Sequence, residues 1–233
     1  MNASFDQRAA VLNDVANSLE SQSWQFIYLL MHEAGKTIQD AHDEIREAVD
    51  FLRYYANRST LFNSQSTQSG PTGEDNILEY CPKGLVACIS PWNFPLAITL
   101  GQIAAALVTG NTVIAKASEE TSLIAFKAAG LFFNHGLPKD ALHLLLGDGR
   151  VGQAIITSQA LDLVVFTGSL KTAKSIHNSL SNKPGKIVPL IAETGGLNSM
   201  VVDSSALIER ACDDIMRSAF NSAGQRCSAL RLL

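Results

Sequence analysis

Late in the sequence stand two side chains that together can oxidise a carbonyl. Cys227 lies in Gly224-Gln225-Arg226-Cys227-Ser228, and Glu193 opens Glu193-Thr194-Gly195-Gly196. A thiolate can add to a carbonyl carbon and a carboxylate can take a proton from water, so the pair is a minimal kit for oxidation through a thioester. A lone cysteine is more often a small buried hydrophobe. The polar neighbours Gln225, Arg226 and Ser228 argue against that role for Cys227. The other cysteines, Cys81, Cys88 and Cys212, form no CxxC pair and have no histidine at metal-ligand spacing. No metal site is expected, and the thiols read as reduced, as in the cytoplasm.

Four further segments can hold a ligand. Ser90-Pro91-Trp92-Asn93-Phe94-Pro95 places an indole and a carboxamide between two prolines. The prolines fix φ on both sides, which either preorganises Asn93 as an amide donor or makes a structural turn around a buried Trp92. Lys116 ends an apolar run and Glu119 follows three residues on. They read as a donor and acceptor for vicinal ribose hydroxyls, or as two solvated charges. In Phe166-Thr167-Gly168-Ser169 a strand turns into a helix, so Ser169 is either an N-cap or part of a phosphate-facing helix start. Gly147-Asp148-Gly149-Arg150-Val151-Gly152 matches the G-x-G-x-x-G dinucleotide fingerprint letter for letter. The strand after it lacks the acidic residue that fingerprint requires, so a tight turn near a nucleotide fits better than a pyrophosphate cradle.

These residues need a scaffold, and the sequence supplies one. Residues 4–58 carry apolar positions at helical spacing, such as Val11, Val15 and Leu19, then Ile45, Val49 and Leu52, which predicts two or three amphipathic helices. The polar stretch from Asn63 to Asp75 reads as an exposed connection. Beyond Gly84, strands are predicted at Leu85–Ile89, Thr112–Ala115, Leu142–Leu146, Asp162–Phe166 and Ile187–Ile191. Helices fall near 96–109, 121–134, 149–158 and 169–181. Such alternation builds an α/β domain with a mostly parallel sheet and flanking helices, which binds ligands beyond the carboxyl ends of its strands.

The composition agrees with a folded domain acting on a small molecule. Of 233 residues, 46% are hydrophobic and 17% charged, enough for a sizeable core, and the net charge of -4 gives no reason to expect a nucleic acid or anionic membrane. Asp6, Arg8, Asp14 and Glu20 interrupt the start, and the run Leu96–Val108 is too short to span a bilayer, so neither export nor membrane insertion is expected.

Taken in order and spacing, PWNFP, K-x-x-E, FTGS, E-x-G-G and GQ-x-C resemble the aldehyde dehydrogenase superfamily. The separations from Asn93 to Glu193 and from Glu193 to Cys227 are close to those the superfamily keeps. Within it, Glu47–Ala56, Ala192–Gly196, Val202–Leu207 and Ser222–Arg231 look most like the Δ1-pyrroline-5-carboxylate dehydrogenase modules of bifunctional proline utilisation flavoproteins. The resemblance implies a Rossmann-like NAD-binding domain over 1–193, with a helical first part over 1–62, and the start of a catalytic domain over 194–233. It implies Cys227 as nucleophile, Glu193 as base for the hydrolytic water, and Asn93 with the Cys227 backbone N–H as oxyanion donors. Lys116 and Glu119 would hold the adenine ribose, Ser169 would face the pyrophosphate, and Ile89, Pro91, Trp92, Gly149, Phe166 and Gly168 would line the rest of the cofactor path.

Glu119 favours NAD by repelling the 2′-phosphate of NADP, while Ser118 leaves NADP possible. The implied reaction is oxidation of L-glutamate γ-semialdehyde to L-glutamate in proline catabolism, by a cytoplasmic homo-oligomer. Succinic or betaine-type aldehydes are alternative substrates, and a non-catalytic nucleotide-binding module is an alternative of another class. Leu197 stands where this branch usually has a polar residue, and Ala117 where proline is common after the lysine. The family's catalytic domain continues well past the cysteine, so this sequence reads as part of a longer enzyme, weakly active or inactive alone.

Overall fold

The computed structural model describes residues 3–62 and 66–233. Asn63, Ser64 and Gln65, which open the polar stretch read as a connection, lie outside the described residues.

Three helices form the first part. α1 (Phe5–Ser21) starts on a capping box in which Ser4 accepts from the Gln7 N–H and Gln7 accepts from the Ser4 N–H. α2 (Ser23–Ala34) ends at Gly35 in left-handed conformation. In α3 (Ile38–Arg58), Ala41, Ile45, Ala48, Val49, Leu52 and Ala56 form one buried stripe, as their three- and four-residue spacing requires. Burying Leu52 or Phe26 in this layer is worth roughly 1.5–3 kcal/mol each.

The stretch that follows differs from the sequence expectation. β1 (Ser66–Gln68) pairs antiparallel with β2 (Asn76–Leu78), so a short exposed hairpin replaces an open connection. Its polar residues hide no apolar alternation, which is why periodicity gives no strand there.

The main sheet contains β3 (Leu85–Ile89), β4 (Thr112–Lys116), β5 (Leu142–Leu145), β6 (Leu163–Gly168) and β7 (Leu190–Thr194), all parallel, in the order β5-β4-β3-β6-β7. The crossovers are α4 (Ala97–Val108), α5 (Ser122–Asn134), α6 (Gly149–Thr157) and α7 (Leu170–Ser181). Both faces are covered, and β3 shows it by strict alternation. Val86 and Cys88 join the core shared with α1 to α5, while Ala87 and Ile89 join the core under α6 and α7.

β7 begins three residues later than the expected Ile187–Ile191. Pro189 has no N–H to give the ladder, although its carbonyl accepts from the Val164 N–H at 3.0 Å. The strand therefore runs through Glu193 and Thr194, paired with Thr167 and Gly168 at the end of β6. Beyond it, β8 (Asn198–Ser199) pairs in parallel with β9 (Leu230–Leu232), and α8 (Ile208–Phe220) connects them with no residue buried.

Candidate active site

The sheet order makes the site. The chain moves outward from β3 through β4 to β5, then returns to the other side of β3 with β6 and β7, so the crevice opens beyond the carboxyl end of β3. A cleft of about 930 Å³ lies there. It is lined by Ile89, Pro91, Trp92, Asn93, Lys116, Gly149, Phe166, Gly168, Ser169, Glu193 and Cys227, and the structure thus brings together eleven of the twelve residues singled out from sequence. Glu119 does not line it but carries its carboxylate 3.0 Å from Lys116 Nζ.

Each is placed by a local cause. Lys116 ends β4 with its side chain nearly buried, so its ammonium is held at the strand mouth. Glu119 follows in a short 3₁₀ turn. Its own backbone N–H, and then the Lys116 ammonium, hold the Glu119 carboxyl below the ordinary carboxylate range, which keeps it ionised at neutral pH. The two readings of Ser169 hold together, since its hydroxyl accepts from the Thr172 N–H at 3.1 Å as the N-cap of α7 and the residue also lines the cleft. A side chain at Gly168 would meet the Phe166 ring at 2.5 Å, so a larger residue at this junction would have to push that ring aside. Of Gly147–Gly152, only Gly147 and Asp148 form the turn, and Asp148 caps α6, which begins at Gly149, by accepting from the Arg150 N–H at 2.9 Å.

Asn93 sits in the turn between β3 and α4. Its Nδ2 donates to the Gln225 carbonyl at 2.8 Å, which ties this turn to the segment bearing Cys227. Beneath it lies a buried ion pair that sequence reasoning missed. Glu44 Oε1 accepts from the N–H groups of Leu96 and Ala97 at 2.8 and 3.1 Å, capping α4, while Lys36 Nζ lies 2.8 Å from Glu44 Oε2 and 4.1 Å from the Phe94 ring centre. Burial pushes the Glu44 carboxyl upward against the pull of Lys36. Losing one partner of such a pair costs roughly 3–5 kcal/mol. A signal existed, because Glu44 interrupts the apolar stripe of α3.

The Cys227 segment is held mainly through its carbonyls. Asn198 Nδ2 lies 2.6 Å from the Cys227 carbonyl and 2.9 Å from that of Ala229. Arg231 donates to the Gly224 carbonyl at 2.8 Å, and Arg226 donates to the Arg217 and Ser218 carbonyls at the end of α8. Cys227 itself is exposed to the cleft. Among the described residues no cluster of His, Cys, Asp and Glu is arranged to hold a metal, and no helix is long and apolar enough to cross a membrane.

A parallel sheet with helices on both faces and its cleft at the switch point is the architecture of a nucleotide-binding α/β domain. The chain belongs to the aldehyde dehydrogenase family, whose sequence profile matches residues 1–233. It is 47% identical over 230 residues to the bifunctional protein PutA of Rhizobium meliloti, covering 97% of this chain and 18% of that protein. A solved structure of proline utilization A with proline bound in remote sites superposes with a TM-score of 0.97 at 52% identity, over 99% of this chain and 24% of that one. A 1-pyrroline-5-carboxylate dehydrogenase from Thermus with bound NAD gives a TM-score of 0.94 at 31% identity, over 98% of this chain and 45% of that one. The chain thus spans less than half the length of each of these relatives.

Proposed function

We propose that this chain carries the cofactor site and the reacting cysteine of an NAD-dependent oxidation of L-glutamate γ-semialdehyde to L-glutamate. The observation that supports it most is the convergence of Cys227, Glu193 and Asn93 on one cleft, with Asn93 bonded to the cysteine's own segment. PutA and 1-pyrroline-5-carboxylate dehydrogenase among the relatives favour this substrate over other aldehydes.

In this reading the Cys227 thiolate adds to the aldehyde carbon, and the carbonyl π electrons move to oxygen. One Nδ2 hydrogen of Asn93 already binds the Gln225 carbonyl, which leaves the second to meet that oxyanion beside the Cys227 N–H. NAD, when bound, supplies the acceptor for the hydride that leaves the former aldehyde carbon as a thioester forms on Cys227. Glu193 then takes a proton from water, whose oxygen attacks the thioester. The carbon–sulfur bond breaks, releasing the carboxylate and the thiol.

The residues fit such a dinucleotide by their donor set. Lys116 and Glu119 offer a donor and an acceptor side by side for vicinal ribose hydroxyls, and the ionised Glu119 disfavours a 2′-phosphate, hence NAD over NADP. Residues 1–193 form the cofactor-binding part and residues 194–233 begin the catalytic part. A reducing compartment such as the cytoplasm suits the unpaired thiols.

The test is NADH formation with glutamate γ-semialdehyde, by the chain alone and by the chain extended after Leu233 with the corresponding segment of a 1-pyrroline-5-carboxylate dehydrogenase. Turnover in the extended protein that vanishes in Cys227→Ala is expected. An extended protein that binds NAD yet never turns over defeats the proposal.

A further inference from the structure

We propose that Asn198 is a positioning residue that locks the Cys227 segment onto the segment bearing Glu193 and so sets the reactivity of the thiol. The proposal rests on Cys227 being the nucleophile.

The carboxamide of Asn198 has two hydrogens on Nδ2, and each has a carbonyl within reach, Cys227 at 2.6 Å and Ala229 at 2.9 Å. The backbone continues the same tie. Asn198 is registered against Leu230, and the Met200 N–H donates to the Leu232 carbonyl at 2.9 Å. With Asn93 on the Gln225 carbonyl, carboxamides from two other segments hold the carbonyls of residues 225, 227 and 229, bracketing the cysteine.

The buried Ala229 needs a partner for its carbonyl, but the Cys227 carbonyl does not require this one. Cys227 and Ser228 are exposed, so water can solvate the Cys227 carbonyl at little cost. What a fixed amide adds is geometry. It pins the peptide on the carboxyl side of Cys227, and with it the direction of the side chain, in a stretch that neither helix nor ladder holds before Leu230. Asn198 also follows Glu193 in the chain by five residues, across Gly195 and Gly196, so its carboxamide adds to the β8–β9 pairing a direct link from the segment of the base to the peptide of the nucleophile.

The experiment measures iodoacetamide alkylation of each thiol by peptide mass spectrometry, across about pH 6 to pH 10, where free thiols titrate. The unaltered chain is compared with Asn198→Ala, Asn198→Asp and Asn198→Ser. Exposed Cys81 and Cys212 are references within the same molecule. Cys88, buried and with its thiol pushed to about 12, reports unfolding.

The ratio of Cys227 to Cys212 rates is expected to fall about fivefold in Asn198→Ala and further in Asn198→Asp, whose oxygens face the two carbonyls, while Asn198→Ser with one donor keeps part of it. The pH midpoint of Cys227 alone should shift. Unchanged ratios and midpoints with Cys88 protected overturn the proposal. So does exposure of Cys88 in all three variants, since Asn198 would then support the fold at large. A Cys227 no faster than Cys212 in the unaltered chain instead overturns the nucleophile assignment, and this proposal with it.

Discussion

At the scale of single residues, the segment before Cys227 carries unusual backbone. Ser222 and Ala223 both have φ 54°, and Gly224 follows at φ 67°. A side chain in left-handed conformation costs roughly 1–2 kcal/mol, and only glycine escapes it. Ala223 is exposed, so its methyl buries little in return. Ala223→Gly is therefore expected to stabilise the chain by about 0.5–1 kcal/mol, after glycine's extra freedom in the unfolded state is subtracted. Urea unfolding measures this, and a variant less stable than the parent would show that the backbone there is unstrained. Cys227, Glu193 and Asn93 were legible in the sequence because reactive side-chain types stood inside recognisable motifs. Asn198 was not, since an asparagine acquires this meaning only from which distant carbonyls it meets. Glu44 lay between these cases, as a carboxylate inside an apolar stripe announces a buried partner without saying which.

At the scale of elements, alternation of short apolar runs with helical stretches located all five strands of the main sheet, and it failed where another constraint governs. Pro189 delays β7, and pairing between the ends of β6 and β7 carries both strands past their apolar residues into Thr167, Gly168, Glu193 and Thr194. A second such constraint sits at the start of β3. Asp162 accepts from the Leu85 N–H at 2.8 Å, its own N–H donates to the Leu85 carbonyl at 2.9 Å, and its other oxygen pairs with Lys186. Gly84, at φ 122°, leaves the space the carboxylate fills. Lys186, followed by the Leu85 N–H, holds the Asp162 carboxyl below the ordinary carboxylate range. The folded state then binds fewer protons than the unfolded one. Its stabilisation is present above an unfolded pKa of about 4 and is lost as pH falls through the lower folded value. In Asp162→Asn the urea midpoint should fall less steeply below that pH. At neutral pH the cost should be about 1 kcal/mol or less, because Lys186 is half exposed and the pair is screened. Parallel pH profiles for the two proteins would count against this role.

At the scale of the whole molecule, apolar covering is uneven. The central strands of the main sheet are covered by helices, yet β7 and the part beyond it leave large apolar side chains in water: Ile191 is 51% exposed, Leu197 80%, Val201 93%, Ile208 63%, Met216 59% and Phe220 64%. The last three lie on α8 among Arg210, Asp213, Asp214 and Arg217, so the helix is amphipathic with its apolar stripe uncovered. Burying such side chains is worth roughly 1.5–3 kcal/mol each, a gain that several together set against the entropy lost when two chains associate. The chain by itself is therefore expected to self-associate as its concentration rises and to bind an apolar fluorescent dye. Sedimentation velocity across the micromolar range measures the first and dye titration the second. Replacing Ile208, Met216 and Phe220 together by lysine or glutamate should suppress both while leaving Cys88 protected, since none of the three belongs to a core. A parent chain that stays monomeric and dark would mean that these side chains pack against the rest of the molecule in solution, and α8 would then have to lie closer to the sheet than the structure places it.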